Sequence, residues 1–289
     1  LADARGKLTK RYKTFHPYRD RPQYAAFSMA LADEFDGFLV DLDGVVWVGR
    51  ELIPGAVESL GKLLADGKEI VFVTNNPGKP AATYAERLRE AGLSIDGDRV
   101  VTAGESTARL AAERVSSGAG AFVIGAPAFH ETVAATGLEL LEGDAAHEAG
   151  AVIVSGHRGF DYAELLTATR GLQGGAALFA TSRDPTMPFP GGAVPGTGAV
   201  LAAVETASGR TAEIGGKPEP HLFELARERL AAAERVAMVG DRISSDIEGG
   251  RRAGLETVLV LTGAGTRAEA EAAALPPDHV VGDLPALLR

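Results

Sequence analysis

Asp41 and Asp43 stand two residues apart in DLDGVVW, directly after the apolar run Phe38-Leu39-Val40. Residues two apart on a strand share a side, and carboxylates placed so closely repel each other unless positive charge lies between them. Further polar groups follow other apolar runs: Thr74-Asn75-Asn76 after IVFV, Lys217 after residues 212–216, and Asp241 after VAMVG. A carboxylate nucleophile, a second carboxylate, a lysine and an all-oxygen cation site are the parts of phosphoryl transfer. In this reading Asp41 attacks phosphorus in line and becomes an aspartyl-phosphate. Asp43 protonates the leaving alkoxide, then takes a proton from the hydrolytic water. The expected Mg²⁺ ligands are the Asp41 carboxylate, the Asp43 backbone carbonyl and the Asp241 carboxylate, with Asp246 orienting a metal-bound water. Lys217 would hold a non-bridging oxygen or the nucleophile, and Thr74-Asn75-Asn76 is the expected phosphate-binding stretch.

Parallel strands must bring these groups together. Apolar runs alternate with helical patterns from Phe35 onward, which predicts an α/β fold with a largely parallel sheet. FLVDLD leads to a helix beginning at Pro54, IVFVTNN to a helix over residues 80–91, and Val100-Val101-Thr102 to a helix from Glu105. Residues 212–216 and 236–240 read as strands, followed by helices over 221–232 and 246–253. Residues 257–261 complete the series, and Val280-Val281 adds an edge strand. A second alternating series, AFVIG, AVIVSG and ALFAT, lies between Gly118-Ala119-Gly120 and Gly215-Gly216. Its length suits a domain of its own. The expected division is 1–30, a basic extension; 31–116, first part of the core; 117–211, an inserted cap; and 212–289, second part of the core. In open α/β sheets ligands bind beyond the carboxyl ends of strands, where the polar residues fall.

Composition limits the alternatives. Of 289 residues 45% are hydrophobic, enough for a real core. The net charge of −10 argues against a nucleic-acid or anionic-membrane binder. With no cysteine, disulfides and thiolate metal sites are ruled out, and a cytoplasmic location is expected. No apolar run approaches the roughly 18 residues that span a bilayer. The first thirty residues differ: Arg5, Lys7, Lys10, Arg11, Lys13, Arg19 and Arg21 face only Asp3 and Asp20. They read as an expression appendage or mis-assigned start, otherwise as a basic arm.

Each residue has a plainer reading. Asp43-Gly44 is a common turn dipeptide, Trp47 suits packing, and Lys217-Pro218 could be an exposed lysine before a helix. Ser244, Ser245 or Asp246 could cap a helix, the preferred reading of the serines. Pro195-Gly196-Thr197-Gly198 lacks the Lys-Ser/Thr of a P-loop and reads as a glycine turn opening a helix.

Taken in order, DLDGVVW, VTNN, GKPEP and GDRISSDI resemble the four motifs of the haloacid dehalogenase superfamily of phosphotransferases. The insertion between the second and third resembles the branch with a C2-type cap, within it the p-nitrophenyl phosphatase, pyridoxal phosphate phosphatase and phosphoglycolate or glycerol phosphate phosphatase group. The resemblance implies a Rossmann-like core, a cap that closes over the site and selects substrate, and the residue roles given above. It also implies a small phosphomonoester as partner and a homodimer through the cap. Residues 180–210 resemble the specificity-loop region, and Met187 falls at a position that is histidine in the pyridoxal type and apolar in the phosphoglycolate type. That favours a small aliphatic ester such as phosphoglycolate or glycerol phosphate; the resemblance also implies p-nitrophenyl phosphate as a substrate, with pyridoxal phosphate or a nucleoside monophosphate as the alternative. Ser182-Arg183-Asp184 departs from the Asn-x-Asp of many relatives; Arg183 could meet a second anionic group, and His157 invites a similar reading. A dehalogenase needs neither Asp43 nor Mg²⁺, a mutase would need a phosphorylated activator, and a non-catalytic phosphate-binding protein would be expected to have lost Asp41 or Asp43.

Overall fold

The computed structural model describes residues 29–187 and 192–289; the expectation for the basic extension falls, up to residue 28, outside them. Six strands form one parallel sheet in the order His279–Val281, Glu256–Val260, Val236–Gly240, Gly37–Asp41, Glu69–Thr74, Val100–Thr102. The central three are near-continuous apolar runs, as strands covered on both faces must be. Phe38 and Val40 pack on one face with Phe72, Leu60, Tyr84 and Leu88. Leu39 packs on the other with Val71, Met238, Leu222 and Phe223. Strand order reverses at Gly37–Asp41, so a crevice opens at its carboxyl end.

The insertion has a second parallel sheet, ordered Glu213–Ile214, Ala177–Ala180, Ala151–Val154, Gly120–Ile124, Glu139–Leu140. One expectation is corrected here. The sequence pattern predicts the strand within 212–216 in the core, but Glu213 pairs with Phe179 and Ile214 with Ala180. Ala212 and Ile214 are buried with Leu178, Ala180 and Val204, so the apolar surface that draws this strand in belongs to the insertion. Gly215 and Gly216 then squeeze back to the core: a Cβ on Gly215 would strike Thr107, and one on Gly216 the Thr181 carbonyl and Asn75. Lys217 therefore arrives on a return loop and not from a core strand, and the peptide that follows it, Lys217-Pro218, is cis.

The helix Ala103–Arg114 also joins the two parts. Thr102 caps it by accepting the Glu105 N–H at 3.1 Å. Its Ala108, Leu110 and Ala111 are buried with Ala121, Val123, Ile153 and Phe179 of the inserted sheet. Two other helices differ from their sequence patterns. The helix expected over 221–232 is Pro220–Arg227. The N–H groups of Ala231, Ala232 and Ala233 turn instead to the Glu69 carboxylate, at 3.0, 2.9 and 3.0 Å. The segment expected to begin at Asp246 begins as a π-helical turn, Ile243–Ile247, and continues as Glu248–Arg252. Among the described residues no helix is long and apolar enough to cross a membrane.

The Ala232, Ala231 and Ala233 N–H groups hold the Glu69 carboxyl below its ordinary value. A depressed carboxyl stabilises the fold above its unfolded pKa, and loses that contribution as pH falls through the folded value. Glu69→Ala is expected to cost about 1 kcal/mol at neutral pH. Urea denaturation should show the gap from native protein closing in acid.

Candidate active site

The strand Gly37–Asp41 delivers the Asp41 carboxylate into the crevice, buried, and Lys217 meets it from the return loop. Lys217 Nζ lies 2.5 Å from Asp41 Oδ1 and 2.6 Å from Asp246 Oδ1, with all three side chains almost wholly buried. The second Asp246 oxygen accepts the Arg242 N–H at 3.0 Å, so Asp246 starts the π-helical turn and holds the lysine at once. Neither serine beside it caps the turn. Burial works against the Lys217 charge, but Asp246 and Asp41 outweigh it and hold the ammonium above the ordinary lysine value. Burial pushes Asp41 well upward; Lys217 opposes this, while Asp246 and Asp241 add to it.

One ammonium does not balance this much acid. Asp41, Asp241 and Asp246 each place an oxygen within 4.8 Å of the others. Asp241 Oδ2 accepts the Ala264 N–H at 2.6 Å, whereas Oδ1 is the one buried side-chain polar atom without a partner among the described residues. Burial, and then Asp246, push the Asp241 carboxyl upward. An unpartnered carboxylate oxygen among other carboxylates is the donor set of a hard divalent cation. Gly44, at φ +89°, makes room for it, since a Cβ there would strike the Asp241 carboxylate.

Above these groups lies a cleft of about 160 Å³, lined on the core side by Asp41, Asp43, Thr74, Asn75, Asn76, Lys217 and Arg242. Asp184, Thr186, Met187 and Thr197 of the insertion line its other side. Asn75 bridges the two. Its Oδ1 accepts the Lys217 N–H and its Nδ2 donates to the Lys217 carbonyl, both at 2.8 Å, and Nδ2 also reaches Asp184 at 3.4 Å. The Asn76 amide oxygen closes a turn onto the Gly78 N–H at 3.1 Å, and Tyr84 holds the Asn76 carbonyl. Both carboxamides, expected at a phosphate, are thus at work shaping the loop and seating Lys217.

Two family models match the chain, one for haloacid dehalogenase-like hydrolases over residues 38–139 and one for HAD-hydrolase-like proteins over residues 214–287. The chain belongs to the haloacid dehalogenase-like hydrolases. Chronophin of Mus musculus is 38% identical over 82% of this chain and 84% of its own length. D-glycerol 3-phosphate phosphatase of Mycobacterium tuberculosis is 37% identical over 81% of this chain, which spans 65% of that relative's length. A crystal structure of a glycerol phosphate phosphatase from the same organism, in complex with magnesium, superposes with a TM-score of 0.84 at 35% identity, covering 90% of this chain and 78% of the other.

Against this family frame, two expected site residues stand elsewhere. Arg183 is not among the cleft-lining residues; its guanidinium grips Glu205 at 3.0 and 2.8 Å and the Ala212 carbonyl at 3.3 Å, pinning the loop to the helix Thr197–Ser208. His157 is not among them either: Nδ1 accepts the Gly159 N–H, which leaves Nε2–H to donate to Glu164 at 2.9 Å. Arginine and histidine are versatile donors, and nearby carboxylates claimed both. Met187 does line the cleft, on a short strand paired with Val194–Pro195. Asp184 and Arg242, each one residue from a predicted site residue, also line the cleft, and their charge is the sequence signal for them. Pro195-Gly196-Thr197-Gly198 does open a helix, and its glycines let that helix start against the Arg183 and Asp184 carbonyls.

Removing Lys217 would leave two buried carboxylates facing each other. Lys217→Met is expected to lower the unfolding free energy by about 3–5 kcal/mol, measured by urea denaturation in EDTA. A loss below about 1 kcal/mol, the range of exposed ion pairs, would show that the pair is not the buried one described.

Proposed function

We propose that this chain is a cytoplasmic Mg²⁺-dependent phosphomonoester hydrolase that acts on a small phosphorylated metabolite through an aspartyl-phosphate on Asp41. The observation that carries the reading is the buried Asp41 carboxylate, tied to Lys217 on the cleft floor beside the unpartnered oxygen of Asp241. The relatives named as phosphatases, and the magnesium in a relative's structure, support it.

In this proposal Asp41, Asp241 and the Asp43 carbonyl would hold Mg²⁺, and Asp246 would orient a water on it. Bound there, Mg²⁺ supplies charge neutralisation for a phosphate dianion approaching carboxylates. Lys217 favours the ionised form of Asp41 against the effect of burial and aims it, and Asn75 keeps Lys217 seated through its backbone. Asp41 attacks phosphorus as Asp43 gives its proton to the departing alkoxide. Burial raises the Asp43 carboxyl, which favours the protonated form this step needs. Asp43 then takes a proton from water, and the acyl phosphate is hydrolysed.

The inserted unit is proposed as a C2-type cap occupying residues 117–211, with its last sheet strand just beyond, and as the homodimer contact. A small cleft, of about 160 Å³, suits a small ester such as glycerol phosphate or phosphoglycolate, and Met187 gives it one apolar wall. Phosphate release with Mg²⁺ should therefore favour these esters by kcat/KM over pyridoxal phosphate and nucleoside monophosphates. Asp41→Asn should reduce every rate to background while the circular dichroism spectrum stays native. Turnover by that variant, with deamidation excluded by mass spectrometry, would remove Asp41 as the nucleophile.

Metal binding can be read without activity. A cation that binds only the folded site raises its stability by mass action. Millimolar Mg²⁺ should raise the Tm of the native protein and leave that of Asp241→Asn unmoved.

A further inference from the structure

The chain has one tryptophan, Trp47, and it is wholly buried. A buried indole needs a partner for its N–H. Trp47 Nε1 donates to Asp43 Oδ1 at 3.1 Å. The backbone repeats the link: Gly44 N–H donates to the Trp47 carbonyl at 2.7 Å, and Trp47 N–H to the Leu42 carbonyl at 3.2 Å. Asp43 and its indole therefore move as one unit. The indole is itself clamped. The Arg87 guanidinium lies 3.8 Å from the ring centroid, and Arg87 Nη2 donates to the Gly49 carbonyl at 2.9 Å, closing the short hairpin that carries Trp47.

We infer that Trp47, backed by Arg87, is a positioning residue for the acid/base chemistry of Asp43. Indole N–H is a donor only. The oxygen it meets must accept, and the carbonyl oxygen of a carboxylic acid accepts better than its hydroxyl, so a protonated Asp43 favours its proton on Oδ2, and the same contact resists rotation of the carboxyl. The proton is then presented to the leaving oxygen as the P–O bond breaks, instead of being shared between two orientations. Simple packing in the core would account for the burial of the ring but not for its one donor being spent on this carboxylate. The inference rests on the proposed role of Asp43.

The test uses leaving groups. An alkoxide needs a proton as it departs; p-nitrophenolate does not. The rate of phosphoryl transfer to the enzyme is measured by rapid quench in a single turnover, with glycerol phosphate or phosphoglycolate, whichever reacts faster, and with p-nitrophenyl phosphate. Trp47→Phe removes the donor. Since Trp47 is the only tryptophan, incorporation of β-(3-benzothienyl)alanine for tryptophan replaces this N–H alone with sulfur and keeps the ring volume. Both proteins should transfer from the alkyl ester about tenfold more slowly or worse, a share of the usual acid–base contribution. KM should change less than about twofold, and transfer from the aryl ester should stay at the native rate. Equal slowing on both esters, or none on either, would overturn the inference. Asp43→Asn separates the two layers. A selective alkyl loss there, absent from both Trp47 proteins, leaves the hydrolase reading intact and rejects Trp47; no selective loss in Asp43→Asn rejects the acid role and the inference together.

Discussion

Carboxylates crowd the carboxyl edge of the core sheet, and the site depends on how their repulsion is held in check. Asp41, Asp241 and Asp246 lie within a few ångströms of one another in a place water scarcely reaches. Lys217 stands between two of them, and removing its charge would leave them facing each other with little solvent to soften the repulsion. A phosphate dianion brings yet more negative charge. The protein meets this with a fixed ammonium and an oxygen, Asp241 Oδ1, held open to a cation. Charges and dipoles set before the substrate arrives need no reorganisation during the reaction, which is where an enzyme gains most from them.

That lysine ties the inserted unit to the chemistry. It is the first residue of the core after the chain leaves the inserted sheet, across two glycines pressed against Thr107 and Thr181. Asn75 grips its backbone from the core and reaches Asp184 across the cleft. Helix Ala103–Arg114 packs against the inserted sheet from the core side. The inserted unit and the floor of the cleft are therefore joined through the residue that balances the charge. Arg183, gripping Glu205, serves the same end by stiffening the loop that presents Asp184 and Met187.

Much of this was legible in the residues. Strands buried on both faces are apolar along their whole length, so FLVD, IVFVT and VAMVG announced themselves. Polar groups directly after such runs must lie at the sheet edge, which located Asp41, Thr74 and Asp241. The strand at Glu213–Ile214 reads from sequence as part of the core, because two apolar residues, Ala212 and Ile214, carry no mark of which neighbour will bury them. The helix after Pro220 was drawn too long, since Ala231, Ala232 and Ala233 have helical propensity and nothing local shows that Glu69 will take their N–H groups.

The sequence by itself determined the fold class, the order of the elements and the residue types of the site, because periodicity and strand-end chemistry are local properties of the chain. Only the tertiary structure decided what each polar side chain does. Asn75 is 142 residues from Lys217 in sequence, Asp41 is 176, and Arg87 reaches Trp47 from a separate helix. Arg183 found Glu205, His157 found Glu164, and Trp47 found Asp43. Hydrogen bonds and ion pairs act over a few ångströms, so their partners are chosen by how the sheets pack, and spacing along the chain does not encode that choice.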